Sequence, residues 1–424
     1  MRMLKRSMTV LAAVLALGVT LTTAACGGGD GDKAADGPVT LRYSWWGNAD
    51  RATLMQKAID LFQTRNPDIK VTGSFQEFEA YWQKMATETA GGNAPDVFQM
   101  DFAYLREYAD RKALYDLGKA GGALKVDDLL PGLETAGQVA GKRYGVPVGA
   151  NTWAYMYNPA LYAKAGIPEP KAGWTWEEYR ATIQTIFQKT GTYGGGAYSG
   201  TYYNLELQLR QEGGQLYTEE GKLGFDKARL AKFFAEGKAL HDAKTVLPVE
   251  KGVQIKPKHA LELDLIAGDL GWDNFMARYD AATKADLKLG PVPTSSPQLT
   301  GQYLKPAMLL SASAKTKHTE AAAKLISFMV NDPEAGAIFG ANRGLPATNA
   351  QRKAVKLEGP LAVVAAYEDG LKSSLAKTPP APPKGAGALE QEFIRINEEL
   401  LYSRISVDQA VSQFFTEAQE TLGS

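Results

Sequence analysis

Apolar and polar residues alternate from Val39 to Tyr43, which predicts a strand, and the pattern switches to a helical period over Arg51–Arg65, with Leu54, Ala58, Ile59 and Phe62 on one face. Asn66-Pro67 ends that helix. A second strand is predicted over Ile69–Phe75, a second helix over Tyr81–Ala90 closed by Gly91-Gly92, and a third, buried strand over Pro95–Met100. Strands separated by helices predict a parallel α/β sheet.

The same reading continues through the chain. Tyr144–Pro147 leads into a strand over Asn151–Tyr157, and Asn158-Pro159 opens a short helix ending at Gly166. Thr175-Trp176-Glu177-Glu178 has the spacing of a capping box. A strand is predicted over Lys305–Ser311, a helix over Thr319–Val330, and a helix start at Asp332-Pro333-Glu334. Four prolines between Thr378 and Gly387 predict an extended surface loop. No internal repeat is present.

The N-terminus has a different pattern. Arg2, Lys5 and Arg6 precede an apolar run from Met8 to Leu21, followed by small residues and Cys26. This is the layout of a secretory leader, residues 1–25, and the run is shorter than the roughly 20 residues that span a bilayer. Thr23-Ala24-Ala25-Cys26 resembles a lipobox, so Cys26, the single cysteine, is the expected lipidation site; a secreted chain with a spare thiol is the alternative. Residues 26–37 offer nothing to bury and are expected to be a flexible tether. A lipid on Cys26 would hold the protein on the outer face of the cell membrane.

Composition bounds what the rest can do. The chain of 424 residues is longer than one hydrophobic core organises, so two lobes are expected. Acidic and basic residues balance at 47 each, and removal of the leader takes away basic residues only. Nucleic acid is therefore not an expected partner, because its binding needs clustered positive charge. With 45% hydrophobic and 22% charged residues the mature part is expected to be soluble and globular, and the protein is expected to be a monomer.

Catalytic patterns are sparse. His241, His259 and His318 lie in no metal-ligand spacing, and neither a nucleophile elbow nor a phosphate-binding glycine loop appears, so no metal, cofactor or catalytic residue is expected. Carboxylates near predicted strand ends, Glu77, Asp101 and Asp273, suit either a glycosidase pair or acceptance of hydrogen bonds from sugar hydroxyls. Glu77 has a third option, since Ser74-Phe75-Gln76-Glu77 also fits a capping box. In open α/β sheets ligands sit beyond the carboxyl ends of strands, where Trp45, Trp46, Asn48 and Asp101 fall.

Several segments occur in an order that resembles the bacterial family 1 extracellular solute-binding proteins, the group that includes maltose-binding proteins. They are Ser44-Trp45-Trp46-Gly47, Ala90–Val97, Tyr144–Pro147 with Tyr155–Asn158, Gly173–Tyr179, Gly271–Asn274 and Arg343–Ala347. The resemblance implies a two-lobed, periplasmic-binding-protein-like α/β fold of type II, with discontinuous lobes and a ligand cleft between them. It implies a first lobe of residues 38–150 and 303–332 and a second of 151–290 and 335–424, with crossings near Gly149–Thr152, at 291–302 and at 333–334. It also implies a receptor that captures a carbohydrate by hinge closure and hands it to the membrane permease of an ABC-type importer, without being an enzyme. The alternatives are a secreted carbohydrate-active enzyme and a binder of a charged solute such as a peptide or polyamine.

Carried onto this chain, the family's cleft predicts ligand contacts from Trp45, Trp46 and Asn48 on the first loop and Asp101 after the third strand. Asn151 and Trp153 are expected beside the hinge, and Trp272, Asp273 and Asn274 on the opposite lobe. Arg343 completes that set, with a salt bridge closing the lobes as its competing role, and Glu77 is added as a ligand candidate from its place near a strand end. Alternation along the strand is expected to turn one of Trp45 and Trp46 into the core. Aromatic planes suit the C–H faces of sugars, and carboxylates and amides suit their hydroxyls.

Overall fold

The apolar alternation of the first forty described residues is used to build one lobe around a mixed sheet. The structure, a computed structural model, describes residues 38–295 and 299–423; the leader, Cys26, the tether and residues 296–298 of the second crossing lie outside them. Among the described residues the strands are β1 (Val39–Trp46), β2 (Ile69–Gln76), β3 (Val97–Met100), a short hairpin of β4 (Gln138–Val139) and β5 (Lys142–Arg143), β6 (Val146–Asn151), β7 (Trp153–Tyr157), β8 (Gly268–Trp272), β9 (Lys288–Gly290), β10 (Lys305–Ala312) and β11 (Leu345–Pro346).

The first lobe carries a six-stranded sheet in the order β11-β6-β10-β3-β1-β2. β1 runs parallel to β2 and β3, as the strand–helix alternation predicts. β10 is antiparallel to both β3 and β6, and β11 to β6, so the sheet is mixed rather than parallel. The reason is the path of the chain: β10 arrives from the second crossing, not through a local helical crossover, and β11, reached from β10 through helices Thr319–Asn331 and Pro333–Phe339, keeps the direction of β10. Gly149 in β6 is required by that neighbour, because a Cβ there would stand 2.4 Å from the Arg343 carbonyl oxygen.

Local signals position the helices. Asn48 caps Ala49–Arg65, its side chain accepting from the Arg51 N–H at 3.0 Å, and buries Met55, Ala58, Ile59 and Phe62 against the sheet. Thr175 and Glu178 close the expected capping box on Trp176–Thr190. Ser74 does not: its hydroxyl donates to Ser44 Oγ at 3.3 Å, and Glu77 itself stands as cap of Phe78–Ala90 without a side-chain capping bond.

A second, separate core forms the other lobe. It centres on Tyr155, Tyr179, Ile183, Phe233, Phe234, Phe393 and Phe414, whereas the first lobe's core centres on Leu41, Tyr43, Phe98, Leu309 and Ile326. Two cores in one chain are what its length calls for. The second lobe's sheet has three antiparallel strands in the order β8-β7-β9, surrounded by helices.

Residues 335–354, expected in the second lobe, pack on the first instead. Helix Pro333–Phe339 buries Ala335 and Phe339 in the first core, β11 joins its sheet, and Gln351 donates to the Met329 carbonyl. The chain therefore passes to the second lobe after helix Asn349–Ala354, not at 333–334. Proline in the first turn marks a helix start, and it carries no information about a change of lobe.

The proline-rich segment is also not a surface loop. Ala381 is 2% exposed within the first core, and Thr378 donates from its hydroxyl to Leu304 O at 2.6 Å and from its N–H to Gly132 O at 3.0 Å. It leaves second-lobe helix Pro360–Leu371, lies against the first lobe, and returns to second-lobe helix Ala386–Leu401.

Candidate functional site

The crossings are tied to one another by polar contacts. Thr152, between β6 and β7, donates its hydroxyl to Tyr303 O at 2.9 Å. Gln302 donates to the Trp153 carbonyl at 2.6 Å, and the Tyr367 hydroxyl donates to the same carbonyl at 3.2 Å. Beside this hinge, β7 and β8 place Trp153 directly opposite Trp272, an antiparallel cross-strand pair whose rings meet edge to face at 4.8 Å.

Tyr203, on helix Tyr202–Gln211, completes the platform with ring distances of 5.6 Å to Trp153 and 4.9 Å to Trp272. Trp153 is fixed below by donation from its indole N–H to Asn204 Oδ1 at 3.1 Å. Trp272 remains half-buried. Above these second-lobe rings stands Lys305 of β10, from the first lobe, with Nζ 5.1 Å from the Trp272 ring centre and 5.8 Å from that of Tyr203.

Next to the platform lies a cavity of about 80 Å³. Phe102 and Ala103 line it from the first lobe, with Lys305; Tyr203, Glu206, Tyr217 and Glu390 line it from the second; Pro379, Pro380 and Pro382 close one side. Glu206 lies one helical turn beyond Tyr203, is buried, and accepts from the Tyr303 hydroxyl at 3.0 Å. Burial raises the pKa of Glu206, opposed by Arg210, the Tyr303 hydrogen bond and Lys305. Burial also raises that of Glu390, opposed by Lys305. The Tyr203 phenol is pushed up by burial and then by the negative charges of Glu390, Glu206 and Asp101. The site thus presents flat apolar faces, hydrogen-bond acceptors and one ammonium to whatever enters between the lobes.

Of the residues expected in the cleft, Trp153 and Trp272 form the platform, and Asp101 precedes Phe102, which lines the cavity. Asp101 also caps helix Phe102–Asp110, accepting from Ala103 N–H at 2.8 Å. Asn151, last residue of β6, keeps a buried Oδ1 without a hydrogen-bond partner among the described residues. Asn274 and Glu77 are exposed, and Asn48 is occupied as a helix cap.

Trp45 and Trp46 are both buried, where only one was expected to be. Trp45, 2% exposed, stacks on Phe75 and packs over Gly73; Trp46 sits among Phe78, Tyr81 and Trp82. Both faces of β1 are covered: Trp46 by the aromatic residues of helix Phe78–Ala90, and Trp45 by Tyr43 of its own strand and by Phe75 and Gly73 of β2. Neither indole touches the Trp153–Trp272 platform.

Asp273 lies inside the second lobe rather than on the cleft wall. It is fully buried beside Glu368; burial first and the Glu368 carboxylate second raise its pKa well above the usual range, favouring the protonated acid. Arg352 forms an ion pair with Glu368 and opposes the upward push of burial on that residue. Arg343 makes no ion pair among the described residues. Its guanidinium lies 3.5 Å from the Phe339 ring centre, Nη2 donates to Met329 O at 2.9 Å, and burial pushes its pKa down to about 10.

Sequence reasoning missed Tyr203, Glu206, Lys305 and Glu390. Tyr202-Tyr203 opening a helix was a usable signal; the meeting of Lys305 with Trp272 was not, because it depends on how two lobes face each other. Among the described residues no group of three or more His, Cys, Asp or Glu side chains could hold a metal ion, and no helix is long and apolar enough to cross a membrane.

A two-lobed α/β molecule with a ring-lined cleft at its hinge has counterparts. The family model of the bacterial extracellular solute-binding proteins matches residues 45–336, and the chain belongs to that family. It is 26% identical over 366 residues to the diacetylchitobiose binding protein DasA of Streptomyces coelicolor, covering 82% of this chain and 84% of that one. Among solved structures it is similar to an extracellular solute-binding protein family 1 of Alicyclobacillus acidocaldarius, with 26% identity, a TM-score of 0.77, and coverage of 92% of this chain and 100% of that one. A periplasmic oligogalacturonide binding protein of Yersinia enterocolitica shares the fold at a TM-score of 0.80 and 23% identity, with 91% of this chain and 99% of that one covered.

Proposed function

We propose that this protein is an extracytoplasmic carbohydrate receptor that delivers a saccharide to an ABC-type importer and does not transform it. The observation that carries the reading is the platform of Trp153, Tyr203 and Trp272, set beside hydrogen-bonding carboxylates and faced by a side chain of the other lobe. Such rings match the C–H faces of pyranoses, and Glu206 and Glu390 of the cavity lining suit their hydroxyls, as would Asp101 and the buried Asn151 Oδ1, which has no partner among the described residues. A ligand that touches both walls favours the closed arrangement of the lobes, and closure is what a permease can read. The diacetylchitobiose specificity named for the Streptomyces relative supports a saccharide ligand. Lipidation of Cys26 after removal of residues 1–25 would keep the receptor beside its permease.

A thermal-shift screen against mono- and oligosaccharides tests the reading. A cognate sugar at about 100 times its Kd adds about 2.7 kcal/mol of stability through mass action. Chromatography of the recovered sugar should show it unchanged; a shortened product would make the protein an enzyme, and absence of any shift across the panel would remove carbohydrate from consideration.

A further inference from the structure

The cavity beside the platform has an uneven charge. Its charged lining consists of Glu206 and Glu390 against Lys305; Asp101 does not line it, though its negative charge acts on the Tyr203 phenol. Two other cations lie on neighbouring elements, but both are turned to backbone oxygens. Arg106 donates to Ala381 O at 2.8 Å and Glu219 O at 3.2 Å, and Arg210 to Gly301 O at 2.9 Å and Lys377 O at 3.1 Å. Neither lines the cavity.

Lys305 shows what kind of group this environment accepts. Its ammonium rests over Trp272 and Tyr203 and forms no ion pair with any described carboxylate. Ring faces with carboxylates behind them are the surroundings that favour a cation, since the ring quadrupole and the negative charges act in the same direction. A carboxylated sugar would instead add a further negative charge next to Glu206 and Glu390, in a space lined by one cation, Lys305, while Arg210 acts on Glu206 from outside the lining.

We propose, resting on the saccharide reading above, that this cavity is a subsite for an amine-bearing sugar unit, whose ammonium takes the place of Lys305 over the rings and faces Glu206 and Glu390, and that the same subsite refuses uronates. Lys305 is then an internal stand-in that the ligand displaces.

Isothermal titration at about pH 6 with glucosamine disaccharide, its di-N-acetylated counterpart and digalacturonate tests this. The free amine should bind roughly tenfold or more tightly than the acetylated sugar, and digalacturonate more weakly than both. Glu390→Gln, nearly the same shape, should bring the first two within about threefold, and Lys305→Met should widen their separation. At about pH 9 the amine loses its proton and its advantage should vanish while the acetylated sugar is unaffected. If the acetylated sugar or the uronate binds best, or if Glu390→Gln leaves the ratio untouched, the subsite assignment is overturned and the saccharide reading stands. If none of the three, and no neutral saccharide, binds, the saccharide reading falls as well.

Discussion

Two tryptophans that read alike in sequence have opposite expected consequences. Trp272→Ala removes a half-buried ring from the platform and should weaken saccharide binding by about 2 kcal/mol, close to thirtyfold, with little change in melting temperature. Trp45→Ala opens a hole in the first core and should cost about 3–5 kcal/mol of stability, read by urea unfolding, while binding by the folded fraction is retained. Asp273 supplies a pH test. Its raised pKa means that the folded state holds a proton which the unfolded state releases more readily, so its contribution declines as pH rises above the ordinary carboxylate range toward the folded value. Asp273→Asn keeps the shape without the titration. The variant's melting temperature should overtake that of the wild type as pH is raised, and a constant difference across pH would refute the assignment. That burial was not legible from Gly271-Trp272-Asp273-Asn274: at the end of β8 one residue determines whether a carboxylate points to solvent or to the interior, and the partner, Glu368, is supplied by a distant helix.

At the level of elements, local chemistry was the legible part. The first three strands, the helix ending at Asn66 and the capping box at Thr175 form where alternation, a stop signal and a cap place them. Sheet direction was less legible, because β10 is antiparallel owing to its arrival from the other lobe, a fact of topology rather than of its own residues. The proline-rich segment misled for a related reason. Proline content signals extended backbone, and that backbone happens to be covered here. The hinge itself can be probed: Thr152→Val removes the hydroxyl that joins the first two crossings and leaves Tyr303 O without that donor. It should lower stability by about 1 kcal/mol in equilibrium unfolding, without altering which sugar is preferred.

Across the whole molecule, the two-lobed class followed from length and from the order of short motifs, and the two separate cores and the shared fold of the solved relatives bear it out. The position of the cleft's best-formed wall did not follow, because its residues come from β7, β8, β10 and two second-lobe helices and meet only after both cores have formed. Saturating cognate saccharide should draw the lobes together, lowering the radius of gyration in small-angle scattering; an unchanged profile would exclude hinge closure as the reporting signal.

The buried excursion through Ala381 adds something that the paired crossings at the hinge lack. Strands meeting near one line set the axis of a door but not how far it swings. A stiff proline segment anchored on one leaf and joined at both ends to the other would act as a door stay, capping the angle of opening and returning to the same stop each time. A receptor built this way would present its permease with two well-separated shapes in place of a continuum, and exchanging residues 379–383 for glycine and serine should blur that distinction before it changes the choice of sugar.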